Sequence, residues 1–139
     1  MSPSDELPDL PPIFVDRCLG RGVVTRLLDV DGVEAHFHDD HLAMEADDFD
    51  WIKFTGERGW IALTHDIAIR NKGIYWDAVE EYHARLFMLR LRTNYNGEIL
   101  GDITVDSLRR IQQYVRDKPP GFIASIGRDR KIRTERRRR

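Results

Sequence analysis

The chain has 139 residues, a net charge of −2, one cysteine and no apolar run near the roughly 20 residues that a membrane-spanning helix requires. That length suits one domain with a real core. Cys18 stands alone, so an intrachain disulfide is excluded and a reducing cytoplasm is the expected compartment. Met1 to Pro12 is polar and acidic, without the basic and apolar regions of a secretory signal.

The small net charge hides an asymmetry. Residues 128–139 carry eight Lys or Arg and two acids, a net +6, which leaves 14 basic against 22 acidic residues elsewhere, a net −8. An acidic body with a basic tail suits a cation site in the body and a polyanion near the tail. A solvated tail that only keeps the protein soluble is the alternative.

In chain order, residues 1–12 read as a flexible lead and Ile13–Val15 as a first strand. Gly20-Arg21-Gly22 makes a turn, and Val23, Val24, Leu27 and Leu28 then fall at helical spacing up to Asp31-Gly32. Residues 33–38 form a second strand. Ala46-Asp47-Asp48 opens a helix through about Arg58, with acids where the helix dipole favours them, and Gly59 ends it. Residues 60–64 form the third strand, residues 76–84 a helix and residues 86–91 the fourth strand. Asn94 to Gly97 reads as a turn. Thr104 is expected to cap a helix bearing Val105, Leu108, Ile111 and Val115, which Pro119-Pro120 stops. Phe122–Ile126 is the fifth strand. This alternation implies a three-layer α/β/α fold on a mostly parallel five-stranded sheet, spanning residues 13–127, with 128–139 as a basic tail.

Carboxylates stand at the ends of these elements. Asp16 closes the first strand, Asp47, Asp48 and Asp50 open the helix before the third strand, and Asp66 follows that strand. In a parallel sheet the carboxyl ends share one edge, where ligands bind. Clustered carboxylates repel by about 1–3 kcal/mol per pair at roughly 5 Å. A hard divalent cation relieves that repulsion. Taken singly, each Asp is equally a turn residue or helix cap.

Four strings in this order and spacing, Ile-Phe-Val-Asp-Arg-Cys-Leu-Gly at 13–20, His-Asp-Asp-His at 38–41, Asp-Asp-Phe-Asp-Trp-Ile at 47–52 and Gly-Trp-Ile-Ala-Leu-Thr-His-Asp at 59–66, resemble the PIN-like nucleases, and among them the short VapC-type toxins. The likeness spans roughly residues 12–133. It implies a metal-dependent endoribonuclease with an acidic pocket for Mg²⁺ or Mn²⁺, acting on RNA as the toxin of a toxin–antitoxin pair. Carried over, Asp16, Asp48 and Asp66 match the family's catalytic, metal-holding acids, with Asp40 and Asp50 as additional candidates. These toxins commonly have a Glu where this chain offers Asp48 or Asp50. A further acid often follows the fourth strand, where this chain has Thr93 and Asn94. Arg17 and Arg70 flank two of the acids and are candidates for RNA phosphates or for ion pairs with carboxylates. A cognate antitoxin protein is the implied partner, and a homodimer stays open.

Two other readings compete. One is a catalytically silent PIN-like binding module. The other is a zinc hydrolase, since His36-Phe37-His38-Asp39-Asp40-His41 resembles the zinc signature of the metallo-β-lactamase fold. That fold needs more chain and further histidines than His65 and His83 supply. Trp51 and Trp60 read as core residues rather than base-stacking ones.

Overall fold

The computed structural model describes residues 7, 9–92 and 95–138. Its strands are β1 (Ile13–Val15), β2 (Ala35–Phe37), β3 (Ile61–Thr64), β4 (Arg85–Leu89), β5 (Phe122–Ile126) and β6 (Ile132–Thr134). Its α-helices are α1 (Arg21–Leu28), α2 (Asp48–Arg58), α3 (Gly73–Glu81) and α4 (Gly97–Asp117). Short 3₁₀ turns at Arg17–Leu19, His38–Asp40 and Ile67–Asn71 follow β1, β2 and β3.

The strands form one sheet in the order β2-β1-β3-β4-β5-β6. The first five are parallel, and β6 runs antiparallel beside β5. Alternation along each strand divides the core. Ile13, Val15, Ile61, Leu63, Phe87, Leu89, Ala124 and Ile126 face one layer with Val23 and Leu27 of α1 and Leu100, Ile103, Leu108 and Ile111 of α4. Phe14, Ala62, Leu86, Met88 and Ile123 face the other, with Trp51 and Ile52 of α2 and Trp76, Ala78 and Val79 of α3. Burial on both faces explains why these strands read as continuous apolar runs. Trp51 lies in the core as expected, and Trp60 packs at its margin.

Three expectations shift. The helix expected to begin at Thr104 begins at Gly97, because Asn96 supplies the cap by accepting from the Ile99 N–H (2.9 Å). Nothing between breaks the helix, and the Thr104 hydroxyl is satisfied within it by the Leu100 carbonyl (2.8 Å). The turn expected from Asn94 lies partly outside the described residues, as do Thr93 and Asn94 themselves. The sheet has six strands rather than five, because the stretch read as a basic tail supplies β6. Leu7, within the expected lead, is buried in the core.

Several of the tail's charges are engaged. Arg130 pairs with Asp106 (2.9 Å), and Arg137 reaches Asp77 (2.6 Å) and the Gly73 carbonyl (3.3 Å). Glu135 is the firmest tie. Its carboxylate, about 10% exposed, accepts from the Ser125 hydroxyl (2.9 Å) and Arg70 (3.2 Å), and lies 3.6 Å from Arg90. Glu135→Ala should cost about 2 kcal/mol in urea unfolding, because it strands a charge-assisted network in which Arg70 is mostly buried. Glu135→Gln, which still accepts, should cost less.

Candidate active site

The carboxyl edge of the sheet opens into a cleft of about 580 Å³ lined by Asp16, Arg17, Cys18, Arg21, Phe37, Asp39, Asp48 and Asp66. Three separate elements deliver the three main acids. Asp16 follows β1 and is 7% exposed. It accepts from the Arg17 N–H (2.7 Å), the Cys18 thiol (3.1 Å) and the Thr64 hydroxyl (2.8 Å). Asp66 follows β3 and caps the next turn, accepting from the Ala68 N–H (3.1 Å). Its own N–H donates to the Thr64 hydroxyl oxygen (3.1 Å).

Asp48 arrives on the first turn of α2. Asp47 and Asp50 close that end reciprocally, each carboxylate accepting from the other's backbone N–H at 3.1 Å. This fixes the helix start, and the Trp51 indole N–H then holds the Asp48 carboxylate (2.9 Å). A helix N-terminus favours a carboxylate anion. Burial nonetheless wins here: it pushes the Asp48 carboxyl above its ordinary range, opposed by the Trp51 bond and reinforced by the charges of Asp16, Asp66 and Asp47.

The remaining candidates fall into different roles. Asp50 is exposed and spent on the cap. Asp40 is exposed and pairs with both Arg21 Nη atoms (3.0 and 3.3 Å), and Arg21 holds its carboxyl below the usual range. Neither lines the cleft. Arg17 does, and it pairs with Asp39 (3.2 Å). Arg70 sits elsewhere, on Glu135. Asp39 was not singled out from the sequence, although the His-Asp-Asp run held the signal. Despite some burial, its bonds from His38 (2.9 Å) and Arg17 keep its carboxyl low. Desolvation and the neighbouring Asp16 push the Cys18 thiol up to about 12, so it stays protonated and donates.

The histidine run disperses. His36 stacks on Trp60 with centroids 4.3 Å apart and contacts Glu34 (2.6 Å) and His41 (2.9 Å). His38 is buried beside Phe14 and turns to Asp39. Among the described residues, no three His, Cys, Asp or Glu side chains converge as one metal-holding set. The cleft does gather the carboxylates of Asp16, Asp39, Asp48 and Asp66 along one lining. That suits Mg²⁺, which binds through one or two carboxylates and keeps several waters.

The PIN-like domain family model matches residues 11–91, the span that holds Asp16, Asp48 and Asp66. The chain belongs to this family, in its VapC-type nuclease branch. "Putative ribonuclease VapC45" of Mycobacterium tuberculosis (strain ATCC 25618 / H37Rv) is 33% identical over 124 residues, which cover 86% of this chain and 88% of that protein. No solved structure matches. PIN-domain ribonucleases generally use divalent metals.

The raised Asp48 carboxyl has a testable sign. A folded-state pKa above the unfolded one means that ionised Asp48 costs stability, and stability falls as pH rises from the ordinary Asp range through the raised one. Asp48→Asn keeps an oxygen for Trp51 and removes the charge. In the metal-free protein it should raise Tm at neutral pH by about 2–4 °C. Thermal melts should show the difference vanish in acid, where wild-type Asp48 is protonated in both states.

Proposed function

We propose that this chain is a divalent-metal-dependent endoribonuclease and the toxin of a toxin–antitoxin pair, with Asp16, Asp48 and Asp66 as its catalytic carboxylates. The observation that carries the reading is the cleft itself: three acids from β1, α2 and the end of β3 line one opening, and the charges of Asp16 and Asp66 reach Asp48. Family membership and the relative's name support the RNA-cleaving role. Among the described residues no helix is long and apolar enough to cross a membrane. We assign the protein to a reducing cytoplasm, with RNA as substrate and a cognate antitoxin as partner.

Asp16, Asp48 and Asp66 would hold Mg²⁺ or Mn²⁺, directly or through water. When bound, the ion supplies polarisation of the scissile phosphate and a more acidic water. The protein's share is orientation. The Thr64 hydroxyl and Cys18 thiol fix Asp16, the Trp51 indole fixes Asp48 and the Ala68 N–H fixes Asp66. Side chains held this way need little rearrangement on loading. A carboxylate oxygen of the trio accepts a hydrogen bond from the attacking water and aims it in line with the leaving oxygen.

Asp66→Asn is the cleanest test, because Asn can still accept from Ala68. Cleavage of RNA with Mg²⁺ or Mn²⁺ should stop with EDTA and fall on the order of 100-fold or more in Asp66→Asn. Calorimetric Mn²⁺ titration should weaken in parallel, with the fold unchanged by circular dichroism. Full cleavage by the folded variant rejects the assignment of Asp66.

Expression in its own host should arrest growth, and co-expression of an adjacent small gene should restore it. Harmless high-level expression of soluble wild-type protein would favour a silent binding module.

A further inference from the structure

We propose that Arg90, Arg92 and Arg133 form a phosphate subsite that grips the RNA backbone beside the acid cleft. This rests on the ribonuclease reading and extends it to how the substrate is anchored. These arginines, with Ser125 and Gly127, line a separate hollow of about 310 Å³.

Its position follows from strand register. Thr64 pairs with Met88 and Leu89 with Ile126. The Arg90 N–H donates to the Ile126 carbonyl (2.8 Å). Arg90 and Gly127 therefore leave β4 and β5 on the edge where Asp66 leaves β3. Neighbouring strands lie about 4.8 Å apart, so the strand ends bearing this hollow stand about 5–10 Å from that of Asp66.

Charge gives the reason for an anchor. Outside residues 128–139 the chain is net −8, and the cleft is lined with carboxylates that repel phosphate. Around the hollow, Arg70, Arg90, Arg92 and Arg133 face Glu135 and Asp129, a local net of +2. The ion pairs there leave donors to spare. Arg133 binds Asp129 at 2.8 Å with both side chains about half exposed, and Arg90 stands 3.6 Å from Glu135 with its side chain 45% exposed. Such exposed pairs are weak, and a guanidinium has five N–H donors whose fork matches a phosphate. Gly127 keeps the hollow open, since a Cβ there would stand 2.9 Å from Asp129 Oδ1 and 3.2 Å from Arg133 Nη1.

The test is fluorescence anisotropy with labelled single-stranded RNA and full-length Asp66→Asn protein, across a salt series. Adding Arg92→Ala and Arg133→Ala should raise Kd at least tenfold. It should also flatten the slope of log affinity against log salt by about 1.4, or about 0.7 per lost contact to a single strand. Replacing both arginines with lysine should retain most of the slope. Lys118→Ala, at the far end of α4, should change neither quantity. Unchanged affinity and slope in the double alanine variant overturn the subsite alone. Equal flattening of the slope in the lysine and alanine pairs overturns it too, because the slope reports charge, which lysine keeps. Absence of RNA binding by the Asp66→Asn parent overturns the ribonuclease reading and the subsite together.

Discussion

Thr64 is fully buried at the end of β3, and its hydroxyl works in two directions. It donates to the Asp16 carboxylate at 2.8 Å and accepts from the Asp66 N–H at 3.1 Å. An almost buried carboxylate costs several kcal/mol in lost hydration unless hydrogen bonds replace the water. Thr64, Cys18 and the Arg17 N–H are those replacements. The same bonds tie the ends of β1 and β3 together, so the spacing of two acids is set by sheet register rather than by loop conformation. Each strand end must lie in that register for the cleft to exist, and the two core layers hold it there.

Around this junction the protein keeps charge under tension. Asp48 is carried in by a helix whose start is locked by its neighbours, and it is held where its charge is disfavoured by burial and by like charges. Arg17 and Arg21 lie at the same mouth but are occupied by Asp39 and Asp40. The cleft therefore remains acidic although basic residues border it. Such an arrangement is held in place by the fold as a whole at some cost in stability.

Much of this was legible in the sequence, for identifiable reasons. The five parallel strands are buried on both faces and show as apolar runs, and the Asp47–Asp50 box marks the start of α2. Asp16, Asp48 and Asp66 could be placed at element ends because a parallel sheet sends its strand ends to one edge. The basic tail misled. Its charges predict solvation, yet β6 needs only three residues and backbone hydrogen bonds, and Glu135 and Arg137 find partners 10 and 60 residues away. Long-range ion pairs leave no local pattern. Thr104 misled in another way: a mid-helix hydroxyl bonded to the carbonyl four residues back looks, in sequence, like a cap. Asp40 and Asp50 resembled site acids because neighbouring residues in one run share a composition, whereas geometry separates the one that lines the cleft from the one that pairs outside it.

The order of the strands in space differs from their order in the chain, and this matters as the protein is made. All three acids are in place by residue 66, but the sheet is not closed until β5 lies against β4 and β6 seals its free edge. A chain halted halfway through synthesis holds every acid and lacks much of the frame: α3, α4, three of the six strands, about half of each core layer, and the Glu135 tie. In a chain with this topology the candidate acids are written early and the architecture that holds them is completed late.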